Sequence, residues 1–140
     1  MKHSITQLSI FLENRVGRLN EVTKLLANSD ISLKSVELVE AGDFGILRLI
    51  VDKTQKAIEV LEKNGITVQK TPVFAVEIAN EVGCFNRVVS LLASEGINIQ
   101  YTYTLHGGNI GTFVIKTDPV EMLRAIEVLK EDGVKIVDEI

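Results

Sequence analysis

Cysteine and histidine are scarce in this sequence. Its 140 residues contain one cysteine, Cys84, and two histidines. A single thiol cannot form an intrachain disulfide, so the framework of small secreted domains is excluded and the cytoplasm is the expected compartment. The three residues are also too widely spaced for a zinc-type ligand pattern. We therefore predict no metal site.

Long apolar runs and clusters of positive charge are also missing. No apolar run approaches the roughly 20 residues of a membrane-spanning helix. The first residues, Met1–Ser4, lead directly into an alternating polar and apolar pattern and not into a secretory signal. The net charge of −4, with lysines spread among acids, is unlike the basic surface of a nucleic-acid-binding protein. The sequence thus predicts neither a membrane nor a nucleic-acid partner.

The usual signatures of an enzyme are absent as well. Gly107–Gly111 is rich in glycine but lacks the preceding strand and following helix of a phosphate-binding loop. Cys84 begins a predicted helix, where a thiol can become reactive, yet no histidine is near it in the sequence. His106 falls in a predicted hairpin turn and is interpreted as a surface residue. We expect no catalytic residues, no cofactor and no enzymatic activity.

The most informative feature is an internal repeat. A shift of 66 positions aligns Gly17 with Gly83. The same shift aligns Leu25–Ala27 with Leu91–Ala93, and after two inserted residues Lys56–Leu61 aligns with Arg124–Leu129. A match along the whole chain indicates a tandem duplication. The predicted domains are residues 1–71 and 72–140.

Each half has the pattern strand, helix, strand, strand, helix, strand. The predicted elements of the first half are strands 5–12, 33–39, 45–51 and 67–71 and helices 17–28 and 53–63. Two interleaved β-α-β units of this kind form a ferredoxin-like arrangement, an antiparallel sheet with both helices on one face. The predicted fold class is therefore α+β, with two such units.

The turn between the first strand and the first helix has the same pattern in both halves, at Asn14–Gly17 and Asn80–Gly83. Amide groups at a helix start are unpaired and attract negative charge, and an asparagine side chain can both donate and accept. Such a turn can hold a small carboxylate. Alternatively, Asn14 and Asn80 only cap the helices, with no ligand.

Asn-x-x-Gly-x-(Leu/Phe) after a strand, within a duplicated β-α-β-β-α-β unit, resembles the ACT domain, a module that typically senses amino acids in biosynthetic enzymes. The run Asp43–Leu49 is similar to that of small stand-alone tandem ACT proteins. The resemblance covers essentially the whole chain. It implies two units side by side in one antiparallel eight-stranded sheet, with an amino acid bound where two modules meet.

By position, the resemblance implies ligand-binding residues in both turns and at the beginning of the second strand of each half. They are Asn14, Arg15, Val16, Gly17, Arg18, Leu19, Ser32 and Leu33, and Asn80, Glu81, Val82, Gly83, Cys84, Phe85, Asn98 and Ile99. Backbone N–H groups would bind the carboxylate, and Asn and Ser oxygens the ammonium group. Because Ser32 stands where the second half has Asn98, we expect the first site to bind more weakly.

Two departures from the family pattern bear on the ligand. Valine replaces the usual proline before the glycine in both halves. Leu12 and Ile78 stand where serine-sensing members carry a histidine, which favours a less polar amino acid than serine.

The helix-free face of the sheet differs between the halves. The predicted outward positions are polar in the first half, at Gln7, Ser9, Ser35 and Glu37. The matching positions of the second half are apolar or aromatic, at Val73, Ala75, Tyr101 and Tyr103. An exposed face of the second kind is usually covered by a partner, so we expect a homodimer.

These observations predict a non-enzymatic, amino-acid-binding regulatory protein. Its ligand would act on its own assembly or on a metabolic enzyme, by analogy with the family. The alternative is a regulatory interaction subunit of an enzyme, without a functional ligand site.

Overall fold

Two compact units make up the chain in the computed structural model, which describes residues 2–140 apart from the side chain of His106. The first unit is Thr6–Thr71 with Ile140, and the second is Pro72–Glu139 with the residues up to Ile5. The elements are β1 (Ile5–Glu13), α1 (Arg18–Asn28), β2 (Leu33–Ala41), β3 (Phe44–Val51), α2 (Thr54–Lys63), β4 (Val68–Ala79), α3 (Cys84–Ser94), β5 (Tyr101–Gly107), β6 (Ile110–Lys116), α4 (Met122–Glu131) and β7 (Lys135–Val137). No helix within residues 2–140 is long and apolar enough to cross a membrane.

The first unit has the strand order β2-β3-β1-β4, and β3 is antiparallel to both of its neighbours. Its register places Glu13 opposite Phe44 at one end of β3 and Leu33 opposite Val51 at the other. In the second unit, β6 pairs with β5 and β4, and β7 pairs with β4, all antiparallel. Both units therefore share the ferredoxin-like strand order that the repeat predicts.

The helices of each unit cover one face of its sheet. Alternate residues of β1, namely Leu8, Ile10 and Leu12, are buried in a cluster with residues of α1 and α2. In the second unit, Phe74 and Val76 of β4 occupy the equivalent positions, against α3 and α4. Fully burying one such side chain contributes ~1.5–3 kcal/mol, so the alternation determines which face of each strand turns toward the helices.

The last strand predicted for the first half, at 67–71, and the first strand of the second half, predicted from residue 74 onward, are one continuous strand, β4. Pro72 is tolerated inside it because the fixed φ of proline suits an extended backbone and only one backbone N–H donor is lost. The α+β fold with two ferredoxin-like units is confirmed, with seven antiparallel strands among the described residues where eight were expected.

The helix-free face is less open than the sequence suggests. Gln7 and Ser35, predicted as polar surface, are buried, and Gln7 Nε2 donates to Ser9 Oγ at 3.2 Å. Val73 and Ala75 are also fully buried. The premise of the predicted homodimer, an apolar face open to solvent, is therefore wrong for these two residues. Strand alternation identifies a face, but it does not reveal whether the chain itself covers that face.

Two other sequence expectations concern the second hairpin and its surroundings. Tyr101 and Tyr103 are half-buried, and their rings stack with centroids 6.5 Å apart. His106, expected in a turn, has its backbone in β5, and its side chain lies outside the described residues.

A glycine in the left-handed conformation precedes α1 and α3. Gly17 has φ 87° and Gly83 has φ 86°, and neither helix has a side-chain cap. The interpretation of Asn14 and Asn80 as helix caps is therefore wrong. A Cβ added at either glycine would meet nothing within 4 Å, so the backbone conformation alone selects glycine.

We expect Gly17→Ala and Gly83→Ala each to lower the free energy of unfolding by roughly 1–2 kcal/mol, because L residues other than asparagine rarely adopt this conformation. Urea denaturation followed by circular dichroism measures the change. Gly17→Asn and Gly83→Asn are the matched controls and should lose less. Equal losses from alanine and asparagine would contradict the conformational explanation.

Candidate functional site

Each repeated turn is tied to the hairpin of its own unit. The backbone N–H of Asn14 donates to the carbonyl of Asp43 at 2.8 Å, and its Nδ2 donates to the carbonyl of Gly42 at 3.0 Å. Asn80 makes the equivalent two hydrogen bonds in the second unit, 2.8 and 3.4 Å long. The asparagines therefore hold the turn against the hairpin, and the hairpin becomes part of the site.

A cavity of about 190 Å³ lies beside the first turn. Its wall is formed by Leu12, Glu13, Asn14, Arg15, Leu19, Leu38, Val39, Glu40 and Gly45. Three of the predicted site residues, Asn14, Arg15 and Leu19, are among them. The hairpin residues were missed, although Gly42 and Gly45 of the hairpin recur as Gly108 and Gly111 at the same shift of 66 positions. Their proximity depends on the β2–β3 register, which no local pattern encodes.

Charges of both signs surround this turn. Arg18 lies 2.8 Å from Glu13 and 2.9 Å from Glu21, and Arg15 lies 3.3 Å from Glu21. Hydrogen bonds from Arg15 and then Arg18 lower the pKa of the Glu21 carboxyl below its usual value. The Nε of Arg18 is buried and lies 2.8 Å from a carboxylate oxygen of Glu13, so the two form an ion pair.

The beginning of β2 does not belong to this cavity. Leu33 is opposite Val51, whereas the turn follows Glu13, which is opposite Phe44. The seven residue-to-residue steps of β3 from Phe44 to Val51 correspond to about 24 Å of extended chain. Ser32 is held there, its N–H donating to Asp52 Oδ1 at 2.9 Å. Within the first unit, one small ligand cannot contact both predicted segments.

The same separation holds in the second unit. The N–H of Asn80 bonds to the carbonyl of Asn109, just before β6, whereas Gln100 bonds to Lys116 at the other end of that strand. Asn98 and Ile99 therefore lie at the far end of the sheet from the turn. Within this unit Asn80 and Asn98 cannot bind one ammonium group together, so the difference between Ser32 and Asn98 no longer ranks the two turns as ligand sites.

The remaining predicted residues have varied surroundings. Val16 and Val82 are 98% and 106% exposed, so their side chains project into solvent. Phe85 stacks on Phe113 with ring centroids 4.6 Å apart, and Glu81 is exposed. Cys84 lines a second cavity, of about 250 Å³. The other lining residues belong to β4, to α3 and to Gly133–Lys135, where β7 begins.

No group of three or more His, Cys, Asp or Glu residues within the described part of the chain could hold a metal ion.

Comparisons with known proteins agree with this architecture. A family model described as an ACT domain pair matches residues 3–140. The crystal structure of protein BT0572 from Bacteroides thetaiotaomicron is 39% identical, with a TM-score of 0.91 over 97% of this chain and 93% of that one. No curated protein matches.

More distant solved structures share the fold. The ligand-free regulatory subunit of aspartate kinase from Thermus thermophilus is 18% identical, with a TM-score of 0.64 over 95% of this chain and 94% of that one. The aspartokinase alpha and beta subunits are also 18% identical, with a TM-score of 0.65 over 94% of this chain and 93% of that one. At this identity the similarity establishes the fold alone.

Proposed function

Since the chain belongs to the family of ACT domain pairs, we propose that it is a non-enzymatic regulatory protein that binds a free amino acid beside its first repeated turn. The observation that carries this proposal is the cavity beside that turn, which combines both charge signs with an apolar wall. Binding would change the assembly of the protein as a homodimer, or its contact with a metabolic enzyme in the cytoplasm.

The chemistry of the cavity suits a zwitterion. The Arg15 guanidinium donates to Glu21 through Nη1 and Nη2 and keeps further N–H donors for a ligand carboxylate. Glu13 and Glu40 offer carboxylates for an ammonium group. The Asn14 side chain adds a carbonyl oxygen, since its Nδ2 is directed to Gly42. These groups are the complement of the two charges that every free amino acid carries.

The size and the apolar wall favour an aliphatic amino acid. Leu12, Leu19 and Leu38 line the cavity, and the family's serine-sensing histidine is absent. The cavity of about 190 Å³ is smaller than the ~300–1,000 Å³ typical of sites for drug-sized ligands and cofactors. An amino acid with a short apolar side chain fits these limits better than a nucleotide.

A thermal-shift screen of the twenty amino acids tests the proposal. A ligand that binds only the folded chain stabilises it by ~2.7 kcal/mol at a hundredfold excess over Kd, so the melting temperature rises. We expect the rise with aliphatic amino acids. The matched control is the amide of the same amino acid, which lacks the carboxylate. If no amino acid raises the melting temperature, the proposal fails.

A second candidate is a regulatory interaction subunit without a ligand site. It is favoured by Phe11 and Phe44, which are 68% and 48% exposed and pack edge to face with ring centroids 6.4 Å apart. Phenylalanine is enriched in protein interfaces relative to the rest of the surface. Light scattering with and without the amino acid tests this second candidate, because a mass that depends on the ligand would contradict it.

A further inference from the structure

The two repeats carry different chemistry at three equivalent positions around the start of the first helix of each unit. The shift of 66 residues aligns Glu13 with Ala79, Arg18 with Cys84 and Glu21 with Arg87. Two carboxylates and a guanidinium in the first repeat thus correspond to two small side chains and a guanidinium in the second. The sign of the charge at the third position is reversed.

In the first unit these three residues form an ion-pair triad. Arg18 lies 2.8 Å from Glu13 and 2.9 Å from Glu21, and only 19% of its side chain is exposed. The long side chain of Arg18 therefore fills the space between the end of β1 and the first turns of α1.

In the second unit a cavity of about 250 Å³ is found at the equivalent place. It is lined by Glu77, Ile78, Ala79, Cys84, Arg87, Val88, Gly133, Val134 and Lys135. Because alanine and cysteine replace glutamate and arginine, the volume that the first unit fills with its own side chains is open here.

We propose that this second-unit cavity binds a small carboxylate with a hydrocarbon tail. Two of its lining residues, Arg87 and Lys135, are cations, and each is paired with one carboxylate, Arg87 with Asp132 and Lys135 with Glu77. The apolar residues Ile78, Val88 and Val134 also line the cavity and would contact the tail. This site is separate from the amino-acid cavity of the first unit.

The two cations retain donors for a ligand. Arg87 uses its Nε and Nη2 on Asp132, at 3.1 and 2.5–2.6 Å. Its Nη1 makes no hydrogen bond to the part of the chain that the structure describes. Lys135 lies 3.1 Å from Glu77 and has three donors on Nζ. A carboxylate accepts hydrogen bonds from both groups without displacing either ion pair.

The thiol of Cys84 provides a direct measurement, because it lines the cavity and is the one cysteine of the chain. The rate of its alkylation by N-ethylmaleimide is measured on the full-length protein with increasing 3-methylbutanoate. The matched control is 3-methylbutanamide, which has nearly the same shape and no charge. We expect the acid to slow alkylation several-fold at millimolar concentration and the amide to have little effect. Equal protection by both, or protection by neither, overturns the proposal.

Variants of the cations test the assignment of residues. In Arg87→Gln with Lys135→Gln, the half-protecting concentration of 3-methylbutanoate should rise about tenfold or more. Arg124→Gln is the matched control. Arg124 donates to the carbonyl of Glu95, the residue after α3, just as Arg87 donates to the carbonyl of Asp132, the residue after α4. Arg87→Lys should retain most of the protection. An unchanged half-protecting concentration in the double variant overturns the proposal.

Grafting the triad of the first repeat tests the cavity itself. Ala79→Glu, Cys84→Arg and Arg87→Glu together should fill the space and abolish the calorimetric heat of 3-methylbutanoate binding. Binding of an amino acid by the first unit should persist in this variant, and its circular dichroism spectrum should show that it is folded. Retained heat in a folded variant overturns the carboxylate site. Failure of the amino-acid screen with intact Cys84 protection instead overturns only the proposed function.

Discussion

Replacing Glu40 by glutamine is expected to weaken amino-acid binding about tenfold in the first-unit cavity. Glu40 lines that cavity from the end of β2 and is the carboxylate assigned to the ligand's ammonium group. A hydrogen bond to a charged group contributes ~1.5–3 kcal/mol, which corresponds to roughly ten- to a hundredfold in affinity. We expect the lower end of this range, about tenfold in affinity, because Glu40 is exposed to solvent in the free chain. Calorimetric titration with the amino acid found by thermal shift measures the loss.

The partner substitution, Arg15→Gln, should cause a loss of similar size, because Arg15 is assigned to the ligand's carboxylate. The two residues would contact different groups of the ligand, so their losses of binding free energy should add. The affinity of the double variant should therefore fall about a hundredfold. Glu62→Gln on α2 is the control with the same change of charge, and Glu62 does not line the cavity. If Glu62→Gln weakens binding as much as Glu40→Gln, the effect is one of net charge and the site assignment is wrong.

Phe74→Ala is expected to lower the free energy of unfolding by about 3–5 kcal/mol, the usual cost of truncating a buried phenylalanine. Phe74 has no exposed surface and lies in the core cluster of the second unit, between β4 and its helices. Truncation removes its contacts and leaves a cavity that rigid neighbours fill only in part. Urea denaturation followed by circular dichroism measures the loss.

Phe44→Ala is the matched control, because Phe44 is the same residue type at a surface position. It is 48% exposed and packs only edge-on against Phe11, so we expect a loss of about 1 kcal/mol. Equal losses at the two positions would mean that Phe74 does not carry the core packing assigned to it.

The repeat and the local patterns were sufficient to predict the fold. The alternation of Leu8, Ile10 and Leu12 identified the face of β1 that packs against the helices, because side chains of a strand alternate between faces. The glycines at 17 and 83 marked the beginning of helices, since the backbone there requires a left-handed residue. Both signals depend on neighbours in sequence, so they are readable before the chain is folded.

The composition of the site was only partly predictable. The resemblance to the ACT domain named Asn14 and Arg15, which line the candidate cavity, whereas Leu38 and Glu40 come from a hairpin more than twenty residues away. Ser32 was assigned to the ligand because it occupies a ligand-binding position of the ACT family. The register of β3, however, places Ser32 a full strand length away from the turn of its own unit. Strand register, which brings distant residues together or keeps them apart, is a tertiary property.

The sequence by itself determined the duplication, the ferredoxin-like units and the face of each strand that meets the helices, because these follow from local periodicity. Only the tertiary structure decided that Gln7 and Val73 are buried, that β4 runs unbroken, and that Arg18 fills a space which remains a cavity beside Cys84. Burial, strand pairing and cavity volume depend on residues far apart in the chain, and their positions are set only when the whole chain packs.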